Sequence, residues 1–406
     1  MIDRTHDPAL KSWVDSANAP ETDFPIQNLP MGTFRKRGEE RPQLGVAIGN
    51  QVLDVTAAFV IPSMQSLMAA LAADRVRLRH RISDCLAQYI PGFDQFLVPM
   101  SEVELLLPCP IGDYTDFYAS IHHATNVGKL FRPDTPLLPN YKWIPIAYHG
   151  RSSSIVVSGT PVRRPWGQIV DGPSGPPRFA PSQRLDYEIE VGAFLGPASE
   201  MGTPIQISES DNHLFGVCLL NDWSTRDIQA WEYQPLGPFL GKNFATSISP
   251  WIVTREALGP FECPSPPRPA GDPEPLPYLR TPAGAYRITL EVWLRTTQMR
   301  KPVRISQGDL STLYWTLGQM IAHHTSNGCP IRSGDLIGSG TVSGPERHNR
   351  GCLLERPSDE VCGFLQDGDE VILRGWCEAR GFRRIGLGEC RGVILPALGG
   401  VFERGV

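Results

Sequence analysis

Glu188 and Glu190 stand two positions apart in Asp186-Tyr187-Glu188-Ile189-Glu190, so on a β-strand both carboxylates project from one face. Taken alone, these five residues favour the solvent-facing edge of an antiparallel strand. The residues that follow, Val191, Ala193, Phe194 and Leu195, are apolar enough to carry the strand into a core, where like charges need a cation between them. A hard, oxygen-preferring ion such as Ca²⁺ or Mg²⁺ meets that need. A third acid, Asp222, falls where the apolar run Leu219-Leu220 ends and a helical segment begins. On such a helix Arg226, Gln229 and Tyr233 share one face, suited to gripping an anionic or carbonyl-rich ligand. An Asx turn before an ordinary amphipathic helix explains the same residues equally well.

Asp116-Phe117-Tyr118-Ala119-Ser120-Ile121-His122-His123 adds an acid, a phenol and two imidazoles. Adjacent helical residues diverge by about 100°, so one of the two His faces a pocket, and a structural hydrogen bond is the commoner role for a lone His. His323-His324 precedes Asn327-Gly328, where a helix-end role suffices. Zinc spacings, a nucleophile elbow and a phosphate loop are all missing from the sequence. The residues by themselves support a carboxylate site for a hard metal with a His as base, and no more.

The elements that must position these groups are β-rich. The 406 residues include 39 Gly and 39 Pro, above the ordinary combined share of about 12%, which points to short strands and ordered loops. Lys plus Arg number 38 against 43 Asp plus Glu, a net charge of −5, which argues against nucleic acid or an anionic membrane as partner. Nine Cys without a CxxC pair and a polar start lead to reduced thiols and a cytoplasmic setting as the expectation. Gly45-Val46-Ala47-Ile48, Gly49-Asn50 and Gln51-Val52-Leu53-Asp54-Val55 read as a hairpin. Met64, Leu67, Met68 and Leu71, then Val76, Leu78, Ile82 and Leu86, read as helices, with Arg77, Arg79 and Arg81 on a solvated face. Leu310, Leu313, Leu317 and Met320 mark one further helix. Loops 161–182 and 259–282 are too proline-rich for a helix or central strand. A boundary near 100–112 separates a first domain, 1–110, from a second, 111–406.

The stretches 23–30, 111–118, 123–128, 148–151, 156–165, 185–190, 221–224, 231–233, 235–239 and 340–346 together resemble the fumarylacetoacetate hydrolase family. They include Asp186-Tyr187-Glu188-Ile189-Glu190 and Gly340-Thr341-Val342-Ser343-Gly344-Pro345-Glu346, and run from about residue 23 to the end. The resemblance implies a mostly β protein with α+β elements: a small SH3-like N-terminal domain and a mixed β-roll catalytic domain. It implies Asp116, Glu188, Glu190 and Asp222 as ligands of Ca²⁺ or Mg²⁺, with Lys242 and Thr246 near a second, Mg²⁺-type ion. His123 is then the general base, oriented by Glu355, while Arg226, Gln229 and Lys242 donate to the oxyanion. Tyr118, Arg132, Tyr148, Gln229, Tyr233 and Thr341 hold substrate. The implied reaction is hydrolysis of a carbon–carbon bond in a small diketo dicarboxylate, 4-fumarylacetoacetate, by a homodimer without nucleic acid or membrane. Departures are Ala245 where relatives often carry Gly, His122 in place of a Gln, about ten extra leading residues, and the composition of loops 172–181 and 259–282. A related acylpyruvase, decarboxylase or isomerase is the nearest enzymatic rival, and a catalytically silent metal-binding relative the rival of another class.

Overall fold

The expected hairpin forms. In the computed structural model, which describes residues 2–172, 175–281, 284–356 and 363–399, β1 (Met31–Lys36) is followed by β2 (Gln43–Ile48) and β3 (Gln51–Asp54). Gly49 makes the turn between them at φ 57°, and a Cβ there would meet Ser16 Oγ at 2.2 Å, so both conformation and space call for glycine. With β4 (Leu97–Pro99) and β5 (Val103–Leu106) these strands make an antiparallel sheet in the order β4-β3-β2-β1-β5. Helices α1 (Val55–Phe59), α2 (Met64–Met68) and α3 (Ala72–Ala87) complete the unit. One expectation fails here. Arg79 is not solvated but buried: its Nε donates to Thr5 Oγ1 at 2.8 Å, and Nη1 and Nη2 donate to the carbonyls of Asn28 and Gln27. The irregular N-terminal arm covers that face of α3, which helical periodicity cannot reveal.

The second part runs through β6 (Tyr114–Phe117), α4 (Ile121–Phe131), β7 (Ala147–His149), β8 (Ile155–Val157), β9 (Val162–Arg163), β10 (Trp166–Val170) and β11 (Pro177–Pro181). Next come β12 (Leu185–Asp186), β13 (Ile189–Leu195), β14 (Leu214–Asp222), β15 (Ser224–Thr225), α5 (Arg226–Glu232), β16 (Thr246–Ile248), β17 (Val253–Thr254) and α6 (Arg255–Leu258). The chain closes with β18 (Glu262–Cys263), β19 (Ala285–Tyr286), β20 (Thr289–Arg295), β21 (Val303–Asp309), α7 (Leu317–Thr325), β22 (Leu336–Gly338), β23 (Glu370–Cys377) and β24 (Ile385–Leu395). An eight-stranded mixed sheet in the order β7-β6-β22-β13-β14-β16-β8, with β17 also on β14, lies against a five-stranded sheet β21-β20-β23-β24-β9.

Period-two alternation explains how the layers meet. Val191, Ala193, Leu195, Val217 and Leu219 pack toward Leu290, Val292, Leu294, Val371 and Leu373 of the second sheet. Phe194, Cys218 and Leu220 turn the other way, onto Met64, Leu67, Leu78 and Ile82 of the N-terminal unit, and Phe215 joins them out of alternation, where the β13–β14 register shifts. Strands covered on both faces read as nearly continuous apolar runs. The chain is thus mostly β, with an N-terminal unit set on a mixed β-roll.

Two further expectations change. The helix foreseen from Leu310 begins only at Leu317, because Thr316 and Gln319 form a capping box there; Leu310 lies in a separate 3₁₀ turn. Loop 161–182 contains the two-stranded ribbon β10/β11, its prolines Pro177 and Pro181 at the strand ends, where a missing N–H costs little. Positions 173, 174 and 282 of the two proline-rich loops, and Cys362, lie outside the described residues. The other eight cysteines are free thiols. No described helix is long and apolar enough to cross a membrane.

Candidate active site

Three strands of the mixed sheet, β13 and β14 side by side and β6 one strand away across β22, deliver three carboxylates to one point. Asp116 is the third residue of β6, Glu190 the second of β13 and Asp222 the last of β14. Their ligand oxygens lie within 4.8 Å of one another, and all three residues are buried. Asp116 Oδ1, Glu190 Oε1 and Asp222 Oδ1 have no hydrogen-bond partner. Buried oxygens left unpaired are costly, and three that converge match the all-oxygen donor set of a hard divalent cation.

The fourth expected ligand, Glu188, stands beside them and is otherwise engaged. Its Oε1 accepts from Arg226 Nη2 at 2.7 Å and its Oε2 from Lys242 Nζ at 2.5 Å. Lys242 Nζ also donates to Asp222 Oδ2 at 2.6 Å, as does the Tyr148 hydroxyl at 2.9 Å. Arg226 Nε donates to Asp186 Oδ2 at 2.9 Å. Five buried carboxylates therefore face two cations. Burial raises the Asp116 and Glu190 carboxyls well above their ordinary range, and the neighbouring acids push them further. Burial raises Asp222 too, against the pull of Lys242. Burial opposes the charge on Glu188, but Lys242 and Arg226 outweigh it and hold that carboxyl below the usual range. Thr246 is buried and lies opposite Asp222 in the β14–β16 register.

Small residues make room for this cluster. Gly338 of β22 pairs with Asp116 on one side and Gly192 on the other. A Cβ at Gly338 would sit 2.4 Å from Asp116 Oδ1 and 2.9 Å from Glu190 Oε2, closer than packing allows. Gly338→Ala is therefore expected to weaken divalent-ion binding by about tenfold or more while far-ultraviolet circular dichroism stays native, with titration calorimetry reading the affinity.

Beside the acids lies an imidazole held from behind. Ser120 caps α4, its Oγ accepting from the His123 amide at 3.2 Å, which fixes His123 in the first turn. His123 Nδ1 is 2.8 Å from Glu355 Oε2, and Nε2 is 3.8 Å from Glu188 Oε1 on the acid side. Glu355 also accepts from Ser343 Oγ at 2.6 Å and Asn126 Nδ2 at 2.7 Å. Burial works against its charge, yet His123 and these donors outweigh it and hold the carboxyl at about 2.

A cavity of about 1040 Å³ opens on this cluster. Of the residues expected from the sequence, Asp116, Tyr118, His123, Arg132, Tyr148, Glu188, Glu190, Arg226, Gln229, Tyr233, Lys242 and Thr341 line it. Glu355, Asp222 and Thr246 lie behind the wall. Arg132 Nη2 donates to the Pro136 carbonyl at 3.3 Å while its Nε is unpaired, and Thr341 Oγ1 is also unpaired. Arg226 Nη1 donates to Gln229 Oε1 at 3.1 Å. Of the two adjacent imidazoles His123 lines the cavity and His122 does not.

Sequence reasoning missed Asp186 as a positioning group. Besides Arg226, its carboxylate accepts the amides of Leu353 and Leu354 at 2.8 and 3.0 Å, so one acid holds both an Arg of the cavity wall and the turn that carries Glu355. Ser343, Asn126 and Cys352, which surround Glu355, were missed as well. Asn126, Asp186 and Ser343 fall within stretches that carry the resemblance, 123–128, 185–190 and 340–346, while Cys352 falls in none of them.

Residues 114–395 match the family model described as Fumarylacetoacetate (FAA) hydrolase C-terminal, and residues 27–108 the model described as Fumarylacetoacetase N-terminal. A fumarylacetoacetase of Oryza sativa subsp. japonica is 44% identical over an alignment spanning 96% of this chain and 98% of that protein. A fumarylacetoacetase of Homo sapiens is 44% identical, spanning 94% and 98%. Among solved structures, a fumarylacetoacetate hydrolase from the psychrophile Exiguobacterium antarcticum superposes with a TM-score of 0.55 at 17% identity, covering 91% of this chain and 99% of its own. That last likeness is one of fold.

Proposed function

Because this chain belongs to the fumarylacetoacetate hydrolase family, we propose that its cavity binds 4-fumarylacetoacetate and splits a carbon–carbon bond with water, giving fumarate and acetoacetate. The enzyme is a hydrolase of carbon–carbon bonds in ketonic substrates. The observation that carries the reading is the pairing of three unpaired, buried carboxylate oxygens, those of Asp116 and Glu190 in the cavity lining and that of Asp222 beside them, with a carboxylate-backed imidazole of the same lining. Such a bond breaks only if water adds to a carbonyl and the departing carbon leaves as an enolate. The site must therefore supply a base and a place for negative charge.

Asp116, Glu190 and Asp222, with Glu188 beside them, would hold a divalent cation, Ca²⁺ or Mg²⁺ by their all-oxygen chemistry. Such an ion supplies Lewis-acid stabilisation of charge on the diketone oxygens. His123 takes the proton of the attacking water at Nε2, and Glu355 keeps the ring oriented and favours the imidazolium that forms. Arg226 and Lys242 place positive charge beside the developing oxyanion. Gln229, its Oε1 occupied by Arg226, has its amide nitrogen to donate. Arg132 suits a terminal carboxylate, while Tyr118, Tyr233 and Thr341 position the chain of the substrate. Tyr148 walls the cavity and steadies Asp222. Burial disfavours the Lys242 charge, but Asp222 and Glu188 raise its pKa overall. A protonated amine has no lone pair for a metal, so any part Lys242 takes toward a second ion uses its backbone carbonyl, with Thr246 offering its hydroxyl. Pairing of two copies through the larger unit belongs to the same proposal, and sedimentation of purified protein decides it.

The test is the loss of ultraviolet absorbance from fumarylacetoacetate. Purified protein in Mg²⁺ is expected to consume substrate steadily, EDTA to stop it and excess Mg²⁺ to restore it. Full activity in EDTA would remove the metal from the reading, and no turnover in any divalent ion would remove the reaction.

A further inference from the structure

We propose that His123, Cys352 and Glu355 form a second, inhibitory metal site selective for Zn²⁺ and similar thiophilic ions. The observation is a mixed donor set directly behind the cavity wall. His123 Nδ1, Cys352 Sγ and a Glu355 oxygen all lie within 4.8 Å of one another. Nδ1 to Oε2 is 2.8 Å, Sγ to Oε2 is 3.4 Å and Sγ to Nδ1 is 4.0 Å. Tetrahedral zinc with bonds of about 2.0 Å to N and O and about 2.3 Å to S needs separations of about 3.3, 3.5 and 3.5 Å. Each distance is thus about half an ångström or less from its target, a shift that side-chain rotations supply. Cys352 is held in place by its antiparallel bridge to Glu188.

Ligand chemistry separates the two sites. The trio of Asp116, Glu190 and Asp222 offers oxygen alone, which suits Ca²⁺ and Mg²⁺. The trio of His123, Cys352 and Glu355 offers nitrogen, sulfur and oxygen, the set preferred by Zn²⁺. A coordinating thiol is deprotonated outright, so the Cys352 proton leaves to solvent when zinc binds. The ring proton that lay between Nδ1 and Glu355 moves to Nε2, since neutral imidazole carries one N–H. Nε2 then has no lone pair to receive a proton from water. Zinc at this site would silence the base without touching the acidic trio, a consequence that rests on the role proposed for His123; binding itself does not.

Binding is therefore read apart from turnover. Co²⁺, the spectroscopic stand-in for zinc, is added to Mg²⁺-saturated enzyme. A near-ultraviolet thiolate-to-cobalt charge-transfer band is expected in the unaltered protein, its loss on adding Zn²⁺, and its absence in Cys352→Ser and Cys352→Ala. Circular dichroism melts of both variants confirm that they are folded. In parallel, the Zn²⁺ concentration that halves turnover after preincubation is expected to rise by about tenfold or more in Cys352→Ser. No thiolate band in the unaltered protein, or an equal band in a folded variant, overturns the site. A band without any effect of zinc on turnover keeps the site and overturns its inhibitory role.

Discussion

Replacing His123 with alanine lowers kcat by about 10²- to 10⁴-fold, the usual worth of a positioned general base, and leaves divalent-ion binding in place. The division follows from where the ring sits. Its Nδ1 is engaged by Glu355 and its Nε2 stands 3.8 Å from Glu188, while the three unpaired carboxylate oxygens belong to other residues. Folding should survive, because Ser120 caps α4 through the backbone amide of residue 123 and not through the imidazole. Glu355→Gln keeps a hydrogen-bond partner for the ring but removes the charge that favours the imidazolium, so it should cost less than the alanine variant. Steady-state turnover in saturating Mg²⁺, paired with calorimetric titration of the ion, separates the two effects. Unchanged kcat in His123→Ala would leave the cavity without its base, and lost ion binding would mean that the imidazole belongs to the metal centre.

How much of this was legible beforehand depended on distance along the chain. Glu188 and Glu190 could be put on one face from their spacing, and the hairpin 45–55 from its Gly-Asn turn, because period and turn chemistry are local properties. Even there the strand is interrupted: β13 begins at Ile189, and Glu188 lies just before it, bridged to Cys352. Glu355 had no local signal at all. It reaches His123 across 232 positions, and only the family resemblance proposed that pairing. Asp186 was hidden differently, since its partners Leu353 and Leu354 contribute backbone amides, which leave no trace in residue type. Arg79 looked solvated because charge on a helix face usually is, yet Thr5 and the carbonyls of Gln27 and Asn28 close over it. The missed interactions are tertiary ones, made by groups that any sequence contains.

Removing the divalent ion should destabilise the protein, and by more as pH rises. In the metal-free chain, burial together with the neighbouring acids raises Asp116 and Glu190 well above the ordinary carboxylate range, and Asp222 moves the same way. A carboxyl whose pKa is raised on folding contributes stability below its unfolded value, about 4, and loses it as pH climbs through the folded value. Glu188 runs oppositely: its carboxyl is lowered, so its contribution is present above the ordinary range and lost in acid. Above about pH 5 the Glu188 carboxyl is ionised in folded and unfolded chains alike and adds nothing to the slope, so the three raised groups set its sign and the metal-free protein should soften between mildly acidic and alkaline pH. A bound cation reverses this, because it favours the ionised carboxylates and must displace any protons they hold. At an ion concentration a hundredfold above Kd the added stability is about 2.7 kcal/mol. Thermal melts with EDTA and with Ca²⁺ or Mg²⁺, taken from about pH 5 to pH 8, should show the two curves diverging upward in pH. Glu190→Gln, which removes the charge behind one of the three unpaired oxygens, should shrink that divergence and take turnover with it. Melts that coincide with and without ion at every pH would mean that the trio is simply a set of protonated acids, and that the charge of the leaving enolate is met by Arg226 and Lys242 alone.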